Sequence, residues 1–181
     1  DLHSFPTRRS SDLITYAIVT VISIFGGYLP KLFVEQKGMH PYKGRMLAML
    51  IFAFFPLFAL FAQPLGQFSA WWPAIVIGLA GAGHQAWSAN LYSTVGDMFP
   101  KSAVATITGI GGMAGGISSF MINKGAGVLF TFSENAGAAF TFLGFEGKEA
   151  GYMIMFCLCA VAYVIAWSVM KILVPKYKKI A

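Results

Sequence analysis

The sequence predicts an all-α, polytopic transmembrane helical bundle, and three observations carry that prediction. Of its 181 residues 57% are hydrophobic and only 11% charged, where a soluble domain carries roughly 25% charged residues. Apolar stretches recur five times at about the 20-residue length that crosses a hydrocarbon core of about 30 Å. The charges between them alternate in kind: Lys31, Lys37, Lys43, Arg45, Lys101, Lys171, Lys176, Lys178 and Lys179 fall on one side of an alternating topology, and Glu134, Glu146, Lys148 and Glu149 on the other.

Residues 1–13 have no helical or alternating period and resemble the conceptual translation of a common sequencing-library adapter, so they are set aside from function. The abrupt change at Leu13 into an apolar run suggests an open reading frame cut from a longer gene, without its native N-terminus. The alternative is a natural basic arm carrying Arg8 and Arg9. A basic region followed by a short apolar stretch and a small-residue cleavage site is absent, so no removable signal peptide is expected.

The expected spans are 13–34, 46–63, 71–95, 104–131 and 151–173, which form a partial bundle over 14–181. By the positive-inside rule the 35–45 loop, the 97–103 loop and the C-terminal tail are cytoplasmic in a multi-pass topology. The pI of 9.4 therefore reports orientation. A nucleic-acid partner is not expected, because the cations do not cluster on a water-exposed face with stacking aromatics. Five spans is an odd total for a complete protein built on repeats, which again suggests a fragment.

The third span departs from its neighbours. Its apolar start, residues 71–82, leads into His84, Gln85, Trp87, Ser88, Asn90, Tyr92 and Thr94. Such groups are costly in hydrocarbon unless partnered, so at membrane depth they mark a pathway or binding-site candidate. At 100° per residue Trp87, Asn90 and Thr94 share one sector and His84, Gln85, Ser88 and Tyr92 another. Gly78, Ala82, Ala86, Ala89, Ser93 and Gly96 form a small-residue stripe away from both, suited to close helix approach. Amides that donate and accept, a flat indole with an N–H and an imidazole suit a small polyhydroxylated anion. The alternative is that some of these groups bond only neighbouring helices or their own carbonyls.

The fourth span is denser still in small residues, with Gly111 paired to Gly115 and Gly112 to Gly116 as helix-packing candidates. Gly109, Gly111 and Ala114 also satisfy a loose dinucleotide pattern, but without a preceding strand or a downstream acid in a soluble βαβ unit. Lys124 lies about six residues, or roughly 9 Å, from the expected outer end of this span. It is read either as a snorkelling side chain or as a cation drawing an acidic substrate inward.

Cys157 and Cys159 stand as a C-x-C on one apolar span, and the three histidines lie in unrelated segments, so packing is expected of the thiols. No metal, cofactor or catalytic constellation is assigned, and the chain is not read as an enzyme. Asp97, Pro100 and Lys101 read as a helix end followed by a helix start. The functional alternative pairs Asp97 with a basic loop residue such as Arg45 in a cytoplasmic gate.

Gly26, Gly27 and the basic residues of 26–45, including Arg45, resemble the second copy of the glycine- and basic-rich loop motif of the major facilitator superfamily, with Pro30 in place of the usual Asp. Residues 84–100 and 109–116 resemble helices ten and eleven of hexuronate transporters in its anion:cation symporter branch. The resemblance covers essentially all of 14–181 and implies helices eight to twelve of a twelve-helix carrier, without its N-terminal half. It further implies proton symport of glucuronate or galacturonate in the bacterial inner membrane, by alternating access around a midplane site. The matching substrate-contact positions are Trp87 and Asn90, then His84 and Gln85, with Thr94 and Lys124 as further candidates. The spans hold no membrane-embedded carboxylate, so the coupling ion rests on the resemblance. Other organic anions (an aldonate, a glucarate-like diacid, a phthalate-like acid), a neutral sugar, or a purely structural membrane subunit are the alternatives.

Overall fold

A computed structural model describes residues 8–69 and 71–179. The chain forms α1 (Arg8–Lys37), α2 (Pro41–Ala53), a 3₁₀ segment (Phe55–Phe61), α3 (Ala62–Gly66), α4 (Trp71–Met98), α5 (Lys101–Ala136), a two-residue hairpin β1 (Thr141–Phe142) and β2 (Phe145–Glu146), and α6 (Gly147–Leu173). Among the described residues four stretches are long and apolar enough to cross a bilayer: Asp12–Lys37, Pro41–Gly66, Lys101–Ala139 and Gly147–Leu173. At 28 residues α4 is also long enough, about 42 Å at 1.5 Å per residue, but with its polar string it is not among the stretches that are also apolar enough.

Local chemistry sets the boundaries. Gly38, at φ +61°, ends α1, and the Met39 N–H returns to the Phe33 carbonyl at 3.3 Å, a left-handed glycine cap. Pro41 suits the first turn of α2, and His40 Nδ1 accepts from the Tyr42 N–H at 3.3 Å. Pro100 opens α5 and Gly137, at φ +53°, closes it.

Contacts between helices establish direction. Thr15 donates to the Ala74 carbonyl near the start of both α1 and α4, and Asn90 meets Gly26 farther along both. Arg45 at the start of α2 pairs with Asp97 at the end of α4, while Gln63 after the 3₁₀ segment donates to the Glu149 carbonyl at the start of α6. Thus α1, α4 and α6 run one way, and α2–α3 and α5 the other. The ends carrying Lys37, Lys43, Arg45, Lys101 and Lys171 gather on one side, and Glu134, paired with Lys148 at 3.0 Å, lies on the opposite side. The buried core joins Tyr42, Met46, Met49 and Phe52 of α2 to Ala86, Trp87 and Met98 of α4, with Tyr163, Trp167 and Met170 of α6 against it.

Several expectations change. Helix α1 begins at Arg8, inside the stretch read as aperiodic, because once an apolar helix is nucleated each added residue costs little; residues 1–7 lie outside the described residues. The second span is not one helix. Pro56 has no N–H for the Phe52 carbonyl, and the chain tightens to i→i−3 bonds, Phe54 N–H to Ile51 and Leu57 N–H to Phe54, both 3.2 Å. The hairpin was not foreseen; its turn places Leu143 at φ +51° and Gly144 at φ +84°, the doubly left-handed geometry that matches strand twist.

Among the described residues the glycine stripe of α5 meets no partner. Gly111, Gly112, Gly115 and Gly116 have nothing within 4 Å of an added Cβ, and every residue from 109 to 125 is exposed. Small residues permit close approach but cannot supply the partner; α5 instead packs on α6 near its far end, where Ser133 is fully buried and Phe130 meets Tyr152 at 4.5 Å. The stripe on α4 behaves differently over its first half. Gly78 lies against Ile18 and Ala86 against Gly26, whereas Gly96 faces open space among the described residues.

Two adjacent glycines test this packing. A Cβ at Gly26 would lie 2.1 Å from Ala86 Cβ and 2.8 Å from its Cα, while Gly27 has nothing within 4 Å. Gly26→Ala should therefore lower stability by about 1–3 kcal/mol through overpacking, and Gly27→Ala should be neutral or slightly stabilising through helix propensity. Thermal melts of both variants in one detergent provide the measurement; equal melting temperatures would contradict the close α1–α4 contact.

Candidate functional site

The polar string lies on α4, which touches α1, α2, the 3₁₀ segment, α3 and α5. The two sectors expected from helical geometry separate by burial. Trp87, Asn90 and Thr94 are buried, His84, Gln85 and Tyr92 are exposed, and Ser88 lies between.

Asn90 is 1% exposed, and both bonds from its Nδ2 go to backbone: 3.0 Å to the Gly26 carbonyl and 2.8 Å to the Ala86 carbonyl. The first bond has a specific cause. In a continuous helix the Gly26 carbonyl would accept from residue 30, but residue 30 is proline, which has no N–H. Asn90 supplies the missing donor from the neighbouring helix, as membrane helices require when a proline frees a carbonyl. Because Gly26 has no side chain, the two backbones come close enough for the bond to form. Asn90 is thus a packing clamp as well as a site candidate.

Thr94 donates to the Asn90 carbonyl at 2.8 Å and Ser93 to the Ala89 carbonyl at 2.8 Å, so both hydroxyls are satisfied within the helix. Trp87 is 9% exposed and meets the ring of Tyr163 edge-on at 5.5 Å. Its indole Nε1 is buried without a hydrogen-bond partner, and so is Asn90 Oδ1, one helical turn further on the same face. A buried donor and a buried acceptor, three residues apart on one helix, are therefore left without partners among the described residues, as is Gln63 Oε1, an expensive condition that native interiors rarely keep without reason.

Tyr163 of α6, which sequence reasoning missed, joins the two sectors. Its hydroxyl is hydrogen-bonded to His84 Nδ1, with the rings edge-on at 5.8 Å, and its ring also meets Trp87. The only signal in the sequence was a tyrosine within an apolar span, and nothing there says which helix it faces. Gln85 is exposed. Lys124 is not brought to this cluster: it lines an open concavity of about 450 Å³ formed by α5 residues alone, Asn123, Gly127, Val128, Thr131, Phe132 and Asn135. The helix also continues to Ala136, about 18 Å beyond Lys124 at 1.5 Å per residue, well past the outer end expected from sequence.

At the basic end, Arg45 Nε lies 2.8 Å from Asp97 Oδ2, joining the start of α2 to the end of α4. The Tyr177 hydroxyl donates to the Asp97 carbonyl at 3.0 Å, and the Tyr42 hydroxyl donates to the Val174 carbonyl. Gly27 and Arg45 line a cleft of about 240 Å³ with Pro30, Lys31, Val34, Glu35 and Pro41. The ion pair is partly exposed, which limits its stabilisation to about 0–1 kcal/mol. Cys157 is half-buried and Cys159 exposed rather than packed, both as free thiols. Among the described residues no three His, Cys, Asp or Glu side chains gather as a metal site requires.

The chain matches no protein-family model, no curated protein and no solved structure. Fold and geometry define an all-α chain with several helices long and apolar enough to span a membrane.

The clamp predicts a coupling. Asn90→Ala strands the Gly26 carbonyl and should cost about 1–3 kcal/mol. In a Pro30→Ala background the restored N–H of residue 30 can serve that carbonyl, so the cost should fall by about 1 kcal/mol, measured as a double-mutant cycle by unfolding in mixed micelles. Strict additivity would show that Asn90 does not compensate for the proline.

Proposed function

We propose that this chain is helices eight to twelve of a twelve-helix major facilitator carrier in a bacterial inner membrane. In this reading α4 forms one wall of a midplane site for a sugar acid such as hexuronate, moved by proton symport with alternating access. The observation that carries the reading is the open pair on α4, the Trp87 N–H and Asn90 Oδ1, both buried and both without a partner among the described residues. A sugar hydroxyl accepts one hydrogen bond while donating another, so it complements an adjacent donor and acceptor. The indole face beside them suits the apolar side of a pyranose ring, and His84 with Tyr163 adds polar groups at the margin.

Burial is consistent with a site closed on this side. The Arg45–Asp97 pair and the Tyr177 bond to the Asp97 carbonyl hold α2, α4 and the C-terminal tail together at the basic end, which the positive-inside rule makes cytoplasmic. Opening that end would require these contacts to separate, a discrete change of the kind alternating access uses. A purely structural subunit leaves the buried indole N–H without a purpose.

The test uses the protein with helices one to seven restored, in proteoliposomes with a proton gradient and labelled glucuronate. Trp87→Phe keeps a ring against Tyr163 and removes only the N–H. It should raise KM about threefold to tenfold, the effect of one hydrogen bond worth roughly 0.5–1.5 kcal/mol. Unchanged KM would refute the site, and saturable uptake of an aldonate but not glucuronate would reassign the cargo.

Asp97→Asn keeps the shape and removes the charge. In the same assay it should change the transport rate at normal protein levels, with little change in melting temperature because the pair is partly exposed. Transport indistinguishable from the parent would show that the ion pair is not a gate.

A further inference from the structure

Between α4, α6 and the C-terminal tail lies a cavity of about 570 Å³, within the roughly 300–1,000 Å³ range of small-molecule sites. Leu91, Val95, Met98 and Phe99 of the α4 end and Met170 and Leu173 of α6 form its body. Its polar lining groups are already engaged: the Thr94 hydroxyl donates to the Asn90 carbonyl and the Tyr42 hydroxyl to the Val174 carbonyl. An interior without open donors or acceptors suits hydrocarbon and does not suit a sugar, an acid or an ion.

The border of the cavity has the opposite character. Lys176 and Lys178 both line it and are exposed, and neither has a carboxylate partner among the described residues. Their positions are held by the tail. Lys171 Nζ donates to the Pro175 carbonyl at 3.1 Å, and Tyr177 is turned away, with its hydroxyl on the Asp97 carbonyl and its ring 5.0 Å from His40. Two exposed ammonium groups, without carboxylate partners among the described residues, thus border an apolar chamber at the basic end of a chain whose helices are long enough to span a bilayer.

We propose that this cavity binds one anionic glycerophospholipid, with an acyl chain between α4 and α6 and the phosphodiester between Lys176 and Lys178. Charge complementarity selects the anionic headgroup, and the bilayer supplies such lipids at the depth where basic helix ends meet the headgroups. The inference goes beyond the carrier reading and does not depend on the cargo. It places Lys176 and Lys178 in a specific role instead of counting them among general topology determinants.

The experiment is native mass spectrometry of the full 181-residue chain released from nanodiscs of equal phosphatidylglycerol and phosphatidylcholine. The expected result is one retained phosphatidylglycerol. Its occupancy should fall at least about fivefold in Lys176→Gln/Lys178→Gln and remain at the parent level in Lys31→Gln/Lys37→Gln, which makes the same charge change at the same end but away from the cavity. Val95→Phe, which fills the chamber and leaves the lysines in place, should also lower retention, while millimolar inorganic phosphate should displace nothing. Equal retention of both lipids, equal loss in the two lysine pairs, or displacement by phosphate alone would each overturn the site.

Discussion

A carbonyl without its donor organises the centre of this bundle. Pro30 cannot bond back to Gly26, and in a membrane interior there is no water to serve the stranded oxygen. The Asn90 amide serves it from α4, which requires the two helices to approach closely enough for Gly26 to lie against Ala86. The arrangement ties together a proline, a glycine, an alanine and an asparagine far apart in sequence. It also sets the rotation of α4: with Asn90 turned toward α1, Trp87 and Thr94 on the same sector are buried with it, and His84 and Gln85 are turned outward.

The same accounting of backbone groups recurs wherever a helix is interrupted. At Pro56 the chain answers with a 3₁₀ segment, a local solution that needs no neighbour. At the end of α4 the Asp97 carbonyl accepts from Tyr177, and after α6 the Val174 carbonyl accepts from Tyr42. These tertiary solutions draw the tail and the start of α2 over the end of α4, so the basic end is assembled largely by side chains that complete broken helices. The Arg45–Asp97 pair adds charge to a junction already defined by hydrogen bonds. At the opposite end contact is sparser, with Gln63 on Glu149 and Lys148 on Glu134, and α5 is attached mainly through Ser133 and Phe130 against α6.

A polar helix among apolar ones carries conflicting demands. Thr94 and Ser93 resolve theirs locally by bonding the preceding turn, which any helix permits. Asn90 resolves half of its demand across the bundle and leaves its oxygen open; Trp87 finds an aromatic neighbour for its ring and none for its N–H. The residues with the most demanding chemistry are therefore those left incompletely satisfied. The sequence already ranked Trp87 and Asn90 ahead of Gln85 and Thr94; the structure adds which of their hydrogen-bonding groups are left without a partner among the described residues.

The sequence by itself determined where helices form and which way they run. Span length, hydropathy and the alternation of lysine-rich with acidic connections are one-dimensional properties, and each expected span contains a helix or, around Pro56, a helix with a 3₁₀ break. The sectors of α4 were legible for the same reason, because 100° per residue is a local constant. Which sector faces inward, and what meets it, was decided only by the tertiary structure. Pro30 could not announce that Asn90, sixty residues on, would supply its missing donor. Tyr163 gave no sign that it would bridge His84 and Trp87, and the glycines of α5 looked as ready to pack as those of α4 yet face open space among the described residues. Propensity and periodicity describe what one helix can offer; pairing depends on a second surface that no window of sequence contains.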